Sequence, residues 1–159
     1  MKLNKLAGLG IASIVLFGSV GELAFNAQPA QAQRAGQGIT IAAKSQSLIS
    51  SGRFVTTEQD HPTSGTAKIV NVNGKRYLEF SKGFTTARGP KVKVVLHRNS
   101  TVPVKLKQQN YVTLAALQRF DGAQRYEIPA NFDLDDFKSV AIWCEQFNVT
   151  FGFARLQSA

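Results

Sequence analysis

The chain has 159 residues, of which 43% are hydrophobic and 18% charged, and its formal net charge is +9. This composition fits one soluble domain. A single cysteine excludes an internal disulfide, and covalent c-type haem is excluded because the chain has no Cys-x-x-Cys-His motif. The chain also has neither the glycine pattern of a Rossmann fold nor a Walker lysine.

The first 32 residues have the pattern of a secretory signal peptide. Two early lysines form a basic region, residues 6–20 are apolar but too short to span a bilayer comfortably, and Ala30-Gln31-Ala32 resembles a cleavage site. We therefore expect export to the periplasm or the extracellular space, a mature chain that begins at Gln33, and no transmembrane segment after processing. Removing two lysines and one glutamate with this peptide lowers the net charge from +9 to +8.

The mature chain divides into an arm and a folded region. Residues 33–47 are rich in Gln, Ala, Gly and Ser, which predicts a flexible arm. Residues 48–158 contain short strand-like runs separated by turn signals, of which Asn73-Gly74 is the strongest. This spacing predicts an all-β fold: a single antiparallel β-sandwich or β-barrel domain with little helix.

Two strong strands are predicted near the end of the chain. In Ser139-Val140-Ala141-Ile142-Trp143-Cys144 nearly every residue is apolar, which is typical of a strand buried on both faces. The following residues alternate, and they predict a second strand with one aromatic face formed by Phe147, Val149, Phe151 and Phe153. Cys144 stands at the end of the first of these strands.

A further strand is predicted around residues 91–98. Val92, Val94 and Leu96 would face the core, and the alternate positions Lys91, Lys93, Val95 and His97 would form a wet, basic face. The best candidate for binding an anionic partner is this strand together with the following loop, through Lys91, Lys93, Arg98, Lys105 and Lys107. A solvated sheet face or a charged edge that prevents aggregation explains the same pattern.

Cys144 is the candidate for redox chemistry, because only a thiol forms a sulfenic acid or a mixed disulfide. The alternative is that it fills a buried strand, as cysteine often does. His61 and His97 have no third ligand in register, so no metal site is predicted. No catalytic triad can be assembled, and whether the protein is an enzyme stays open.

Several segments, in order along the chain, resemble the DM13 domain family. They are His61-Pro62-Thr63-Ser64-Gly65-Thr66-Ala67, Leu78-Glu79-Phe80, Gly89-Pro90, Gly122-Ala123-Gln124-Arg125-Tyr126-Glu127-Ile128-Pro129 and Ser139-Val140-Ala141-Ile142-Trp143-Cys144. Together they cover about residues 50–157. The chain departs from the family pattern at Lys91, where many members have an acidic residue.

The resemblance implies a β-rich, extracytoplasmic domain with a near-signature cysteine and a proposed role in electron transfer. In multidomain members this domain stands beside haem-binding DOMON domains. The resemblance therefore implies redox chemistry at Cys144, with no cofactor in the chain itself and with an acidic or haem-containing redox protein as the candidate partner.

A function of a different class stays open beside this one. In this alternative the protein is a non-catalytic binding module whose basic face binds an anionic surface or partner in the cell envelope, without specific recognition of nucleic acid.

Export predicts a defined N-terminus. N-terminal sequencing of protein recovered from the envelope or the medium should begin at Gln33, because the cleavage site ends at Ala32. An N-terminus at Met1 in a cytoplasmic fraction would contradict this prediction.

Overall fold

The computed structural model describes residues 46–159. The strands are β1 (Gln46–Thr56), β2 (Thr63–Ser64), β3 (Thr66–Val72), β4 (Lys75–Phe80), β5 (Thr85–Thr86), β6 (Val92–His97), β7 (Tyr111–Ala116), β8 (Gln124–Ile128), β9 (Ser139–Cys144), β10 (Val149–Arg155) and β11 (Gln157–Ser158). Two short 3-10 helices, Gln108–Asn110 and Leu134–Asp136, precede β7 and β9. The expected signal peptide and residues 33–45 of the expected arm lie outside the described residues.

The strands form one large antiparallel sheet and a small two-stranded one. The large sheet has the order β7-β6-β9-β10-β1-β3-β4-β8, with β11 also paired to β1, and β2 pairs with β5. Apart from the two short 3-10 helices, the regular secondary structure of the described residues is all strand, so the all-β prediction is confirmed. The large sheet curls until its two edge strands, β7 and β8, approach each other, which makes a nearly closed barrel. Within residues 46–159, no helix has the length and apolar character needed to cross a membrane.

Side-chain hydrogen bonds join the two ends of the sheet. Gln118, just after β7, donates its backbone N–H to the Tyr126 hydroxyl of β8 (3.1 Å) and its side-chain amide to the Arg125 carbonyl (3.1 Å). The Tyr126 hydroxyl in turn donates to Gln124 Oε1 (2.5 Å). Burial raises the pKa of Tyr126, which favours the neutral phenol that can act as this donor. Gln124 and Tyr126 therefore hold together the part of the barrel that has no backbone ladder.

The Asn73-Gly74 turn joins β3 to β4 as the sequence predicts. Asn73 and Gly74 both have positive φ angles, 54° and 83°, which a two-residue hairpin of type I′ requires. The turn sets the register, with Val72 opposite Lys75. Its twist matches that of the flanking strands, so this hairpin is specified locally.

Apolar side chains fill the interior of the barrel. At one end Phe54, Phe80 and Phe84 contact one another, with the Phe54 and Phe80 rings edge to face at 5.2 Å. Strand β9 contributes Val140, Ile142 and Cys144 to the same cluster. Every residue of β9 is buried, as its apolar pattern predicts.

A second apolar layer covers the outer face of β6 and β9. Val95 and Trp143, which point away from the interior, pack against Val102 and Leu106 of the loop after β6. The predicted wet face of β6 is therefore wrong at Val95 and His97, both of which are fully buried. The loop is mostly polar in sequence, and only its folded path shows that its few apolar residues lie on this face.

The single aromatic face predicted for β10 is also wrong. The pairing of β10 with β9 shifts register between Thr150 and Gly152, and such a bulge adds one residue and reverses the alternation of side chains. Phe151 consequently lies in the barrel interior, whereas Phe153 packs against the outer layer. Phe147 precedes the strand, in the turn after β9, and is 61% exposed.

The burial of His97 predicts acid sensitivity. Its Nδ1 accepts a hydrogen bond from the Asn99 backbone N–H (3.1 Å), and burial lowers its pKa. The unfolded chain therefore binds the proton at higher pH than the folded chain. The contribution of neutral, buried His97 to the free energy of unfolding is therefore complete above the ordinary histidine pKa near 6.5. It is lost as the pH falls below that value.

We expect the free energy of unfolding, measured by urea denaturation with Trp143 fluorescence, to decrease between about pH 7 and pH 5. His97→Gln should make this decrease smaller, and His61→Gln, which removes the other imidazole, should leave the His97 contribution in place. Equal pH slopes for the wild type and His97→Gln would contradict the prediction.

Candidate functional site

Cys144 is the last residue of β9 and lies between two neighbouring strands. It is opposite Val92 of β6 and Val149 of β10. Its side chain points into the barrel, whereas the preceding Trp143 points outward, as alternation along a strand requires. Cys144 is a free cysteine and is 2% exposed.

The Gly89-Pro90-Lys91 segment covers this end of β9. The Cys144 thiol donates to the Pro90 carbonyl, with Sγ and O 3.1 Å apart, and the Glu145 N–H donates to the Lys91 carbonyl (3.2 Å). A Cβ on residue 89 would lie 2.8 Å from Phe151 Cζ, so only glycine permits this approach without displacement of the ring. In the hydrogen bond to the Pro90 carbonyl, the Cys144 thiol uses its S–H group as the donor.

A pocket of about 340 Å³ opens beside the thiol. Its walls are mostly apolar, and the residues that line it are His61, Arg88, Gly89, Pro90, Cys144, Phe147, Val149 and Phe151. Cys144 therefore reaches a pocket even though very little of it is exposed. This size and largely apolar lining are typical of sites for small molecules.

His61 forms one wall of the pocket by stacking on Phe151. The two rings are nearly parallel, with centroids 4.3 Å apart and an angle of 10° between their planes. His61 Nδ1 also contacts the Glu58 carboxylate, and the hydrogen bond from His61 lowers the pKa of Glu58. The backbone N–H of His61 donates to the Glu58 carbonyl (3.0 Å), so His61 also closes a turn.

Four of the five basic candidates lie toward the Cys144 end of β6. Lys91 belongs to the covering segment, and Lys93 Nζ lies 3.9 Å from Glu145 Oε2. Lys105 and Lys107 are exposed on either side of Leu106. The Leu106 backbone is bound to Asn148 in the turn between β9 and β10, which brings these two lysines to the same region.

Arg98 lies apart from the other four. It follows the opposite end of β6, and a strand of this length separates it from Lys91 by about 20 Å. Its guanidinium forms an ion pair with Asp136 (2.8 Å) and lies 5.3 Å from the centre of the Phe137 ring. Arg98 is therefore occupied by local contacts at the other end of the barrel.

Asn148 connects the basic loop to the strand that carries the thiol. Its Oδ1 accepts hydrogen bonds from Trp143 Nε1 and from the Leu106 N–H, both at 2.9 Å, and its Nδ2 donates to the Leu106 carbonyl (3.2 Å). Its φ angle is 51°, a left-handed conformation that asparagine tolerates better than most residues. The sequence analysis missed this role, although Asn148 is the last residue of the turn and directly precedes β10.

The sequence analysis also missed Arg88, Phe147 and Phe151 as pocket residues. They are distant in sequence from His61, and nothing in the local pattern of each one points to a pocket. Among residues 46–159, no group of three His, Cys, Asp or Glu side chains is arranged to hold a metal ion.

The family described as "Electron transfer DM13" matches residues 53–156, well over half of the chain. The chain belongs to the DM13 family. Searches of curated proteins and of solved structures found no match.

The structure gives physical roles to the segments that resemble DM13. The Pro90 carbonyl of the Gly89-Pro90 segment accepts a hydrogen bond from the Cys144 thiol, although Pro90 and Cys144 are 54 residues apart. The segment that contains Gln124 and Tyr126 closes the barrel. These separate motifs of the DM13 domain are therefore parts of the barrel closure and of the surroundings of one thiol.

The contacts of Asn148 predict a measurable loss of stability. Asn148→Ala should lower the free energy of unfolding by about 2–4 kcal/mol, because it leaves the Trp143 indole N–H and the Leu106 N–H without their acceptor. Urea denaturation measures this change. Asn148→Gly keeps the left-handed φ accessible and separates backbone strain from the lost hydrogen bonds.

Gln146→Ala, an exposed change in the same turn, is the control and should alter the free energy of unfolding by less than about 0.5 kcal/mol. If Asn148→Ala were as mild as this control, the assigned role of Asn148 would be wrong.

Proposed function

We propose that this DM13 protein is an exported redox protein whose reactive group is the Cys144 thiol. The observation that carries the proposal is that the thiol lines a pocket of about 340 Å³ while the rest of its residue is buried in a strand. The family description as an electron-transfer domain supports a redox role of this kind. Strand β9 fixes the position of the Cys144 sulfur atom, and the pocket gives a small reactant access to it.

A single thiol limits the chemistry to reactions with an external partner. In exchange with a disulfide, the Cys144 sulfur forms a bond to one sulfur of the disulfide and the disulfide bond breaks. The other half leaves and takes up a proton as a thiol, and the proton of Cys144 passes to solvent. The net result is oxidation of Cys144 to a mixed disulfide and reduction of the attacked disulfide. The contact between Sγ and the Pro90 carbonyl must break first, which slows the reaction.

The physiological partner in this proposal is an acidic or haem-containing redox protein. Lys91, Lys105 and Lys107 lie toward the end of the barrel that holds Cys144, and Arg88 stands at the pocket itself. Positive charge at this end increases the rate at which an acidic partner meets the site. The partner would supply the cofactor, and this chain would supply the thiol and the docking charge.

The second candidate function is a binding module without redox chemistry. It is favoured by the placement of Lys91, Lys93, Lys105 and Lys107 toward one end of the barrel, on a chain whose net charge is +8 once the expected signal peptide is removed. Such a surface would bind an anionic partner in the cell envelope, with affinity that falls as salt screens the charges. Cys144→Ser discriminates the two functions, because it removes redox chemistry and leaves this binding unchanged.

Titration of the native thiol with a chromogenic disulfide tests the redox proposal. Because Cys144 is the only cysteine, all of the released chromophore reports on it. We expect complete reaction of the native protein at a rate below that of the unfolded protein but proportional to reagent concentration. A rate that does not depend on reagent concentration and equals the rate of unfolding would make Cys144 structural. Cys144→Ser is the blank.

The charge of the disulfide reagent provides a second readout. An anionic disulfide should react faster than a neutral one at low salt, and the ratio of the two rates should approach one as salt rises. Lys105→Gln with Lys107→Gln should reduce the ratio. Lys82→Gln, an exposed lysine in the loop between β4 and β5, should not reduce it. A ratio unaffected by either salt or the lysine pair would exclude electrostatic docking.

A further inference from the structure

The pocket beside Cys144 has features of a ligand site that do not depend on the thiol. Its walls combine the stacked rings of His61 and Phe151 with Phe147 and Val149. Aromatic rings that stand in parallel present flat surfaces, and flat apolar ligands pack well against such surfaces. A pocket of about 340 Å³ lies near the lower end of the range for small-molecule sites, which favours a ligand of one or two rings.

Phe147 presents exposed apolar surface at the edge of the pocket. It is the most exposed of the large hydrophobic side chains among residues 46–159, at 61%, and it stands in a tight turn whose hydrogen bonds come from its neighbours. Nothing in the turn requires a phenyl ring at this place. An apolar ligand in the pocket would cover part of this ring and remove both apolar surfaces from water.

Arg88 favours a ligand that carries a negative charge. Arg88 is one of the residues that line the pocket, and its guanidinium lies 5.3 Å from the centre of the Phe120 ring. Within residues 46–159, no carboxylate comes within ion-pair distance of it, in contrast to Arg98 and Arg125. The carboxylate of Glu58 contacts His61, so it has a partner within the chain. A ligand carboxylate would therefore meet a cation that has no acidic partner in this part of the chain.

We propose that this pocket binds a small planar aromatic carboxylate, with the ring system against Phe147 and the His61–Phe151 wall and the carboxylate at Arg88. This inference goes beyond the redox role, because non-covalent binding requires no reaction at Cys144.

The test uses 2-naphthoate as the probe and naphthalene-2-carboxamide as its neutral counterpart, titrated into the purified protein and followed by backbone amide NMR. We expect saturable binding of 2-naphthoate at one site, with the chemical-shift changes centred on the residues that line the pocket. No saturation up to millimolar probe, or shift changes centred elsewhere on the barrel, would overturn the proposal.

Variants separate the two parts of the proposed contact. Arg88→Gln should weaken the binding of 2-naphthoate by about two- to fivefold, as expected for an exposed ion pair. The same variant should leave the affinity for naphthalene-2-carboxamide unchanged. Phe147→Ala should weaken both probes by about three- to tenfold. Arg53→Gln is the matched control, since Arg53 is also exposed but lines no part of the pocket, and it should change neither affinity. Equal effects of Arg88→Gln and Arg53→Gln on 2-naphthoate would overturn the assignment of the carboxylate to Arg88.

Two separate measurements on the wild-type protein, thiol reactivity and 2-naphthoate binding, distinguish a failure of this inference from a failure of the redox proposal. An inert thiol together with intact naphthoate binding would overturn the redox proposal alone. A reactive thiol without naphthoate binding would overturn this inference alone.

Discussion

The burial of β9 on both faces is the constraint on which the rest of the structure depends. Val140, Ile142 and Cys144 fill the barrel interior, whereas Ala141 and Trp143 lie under the loop that follows β6. Each large apolar side chain buried in this way contributes about 1.5–3 kcal/mol. Both edges of β9 are also paired, to β6 and to β10. A shift of one residue would exchange the two faces and place Trp143 in a space shaped for Ile142 and Cys144, so the position of the thiol is fixed by packing.

The same constraint explains why Cys144 combines protection with access. Strands β6 and β10 flank Cys144, and the Pro90 carbonyl accepts a hydrogen bond from its thiol. The strand ends at this residue, so beyond it the chain turns and leaves a pocket between the Gly89-Pro90 segment and β10. A thiol in the middle of β9 would be enclosed by strands, and one in the following turn would be freely exposed. At the end of β9, packing fixes the sulfur atom and the pocket still allows a small reactant to reach it.

Charge is organised by the loop as well as by the strands. The β6–β7 loop carries Lys105 and Lys107, and Asn148 binds its backbone beside the turn that follows Cys144. Arg98, one residue beyond β6, is held by Asp136 at the other end. The loop therefore brings cations toward the thiol, whereas an acidic side chain pairs with the arginine that lies far from it.

The sequence alone determined the all-β class, the Asn73-Gly74 hairpin, the doubly buried β9 and the family resemblance, because these depend on local turn chemistry and on alternation within single strands. Tertiary structure decided the rest. The bulge in β10 reversed the alternation that placed Phe153 beside Phe151, and the loop after β6 covered Val95 and His97, which alternation had assigned to solvent. The pocket joins His61, Arg88 and Phe147, which are brought together only by strand pairing across the barrel. Periodicity in a sequence states which side of a strand a residue occupies, but which other segment covers that side is decided by contacts between distant parts of the chain.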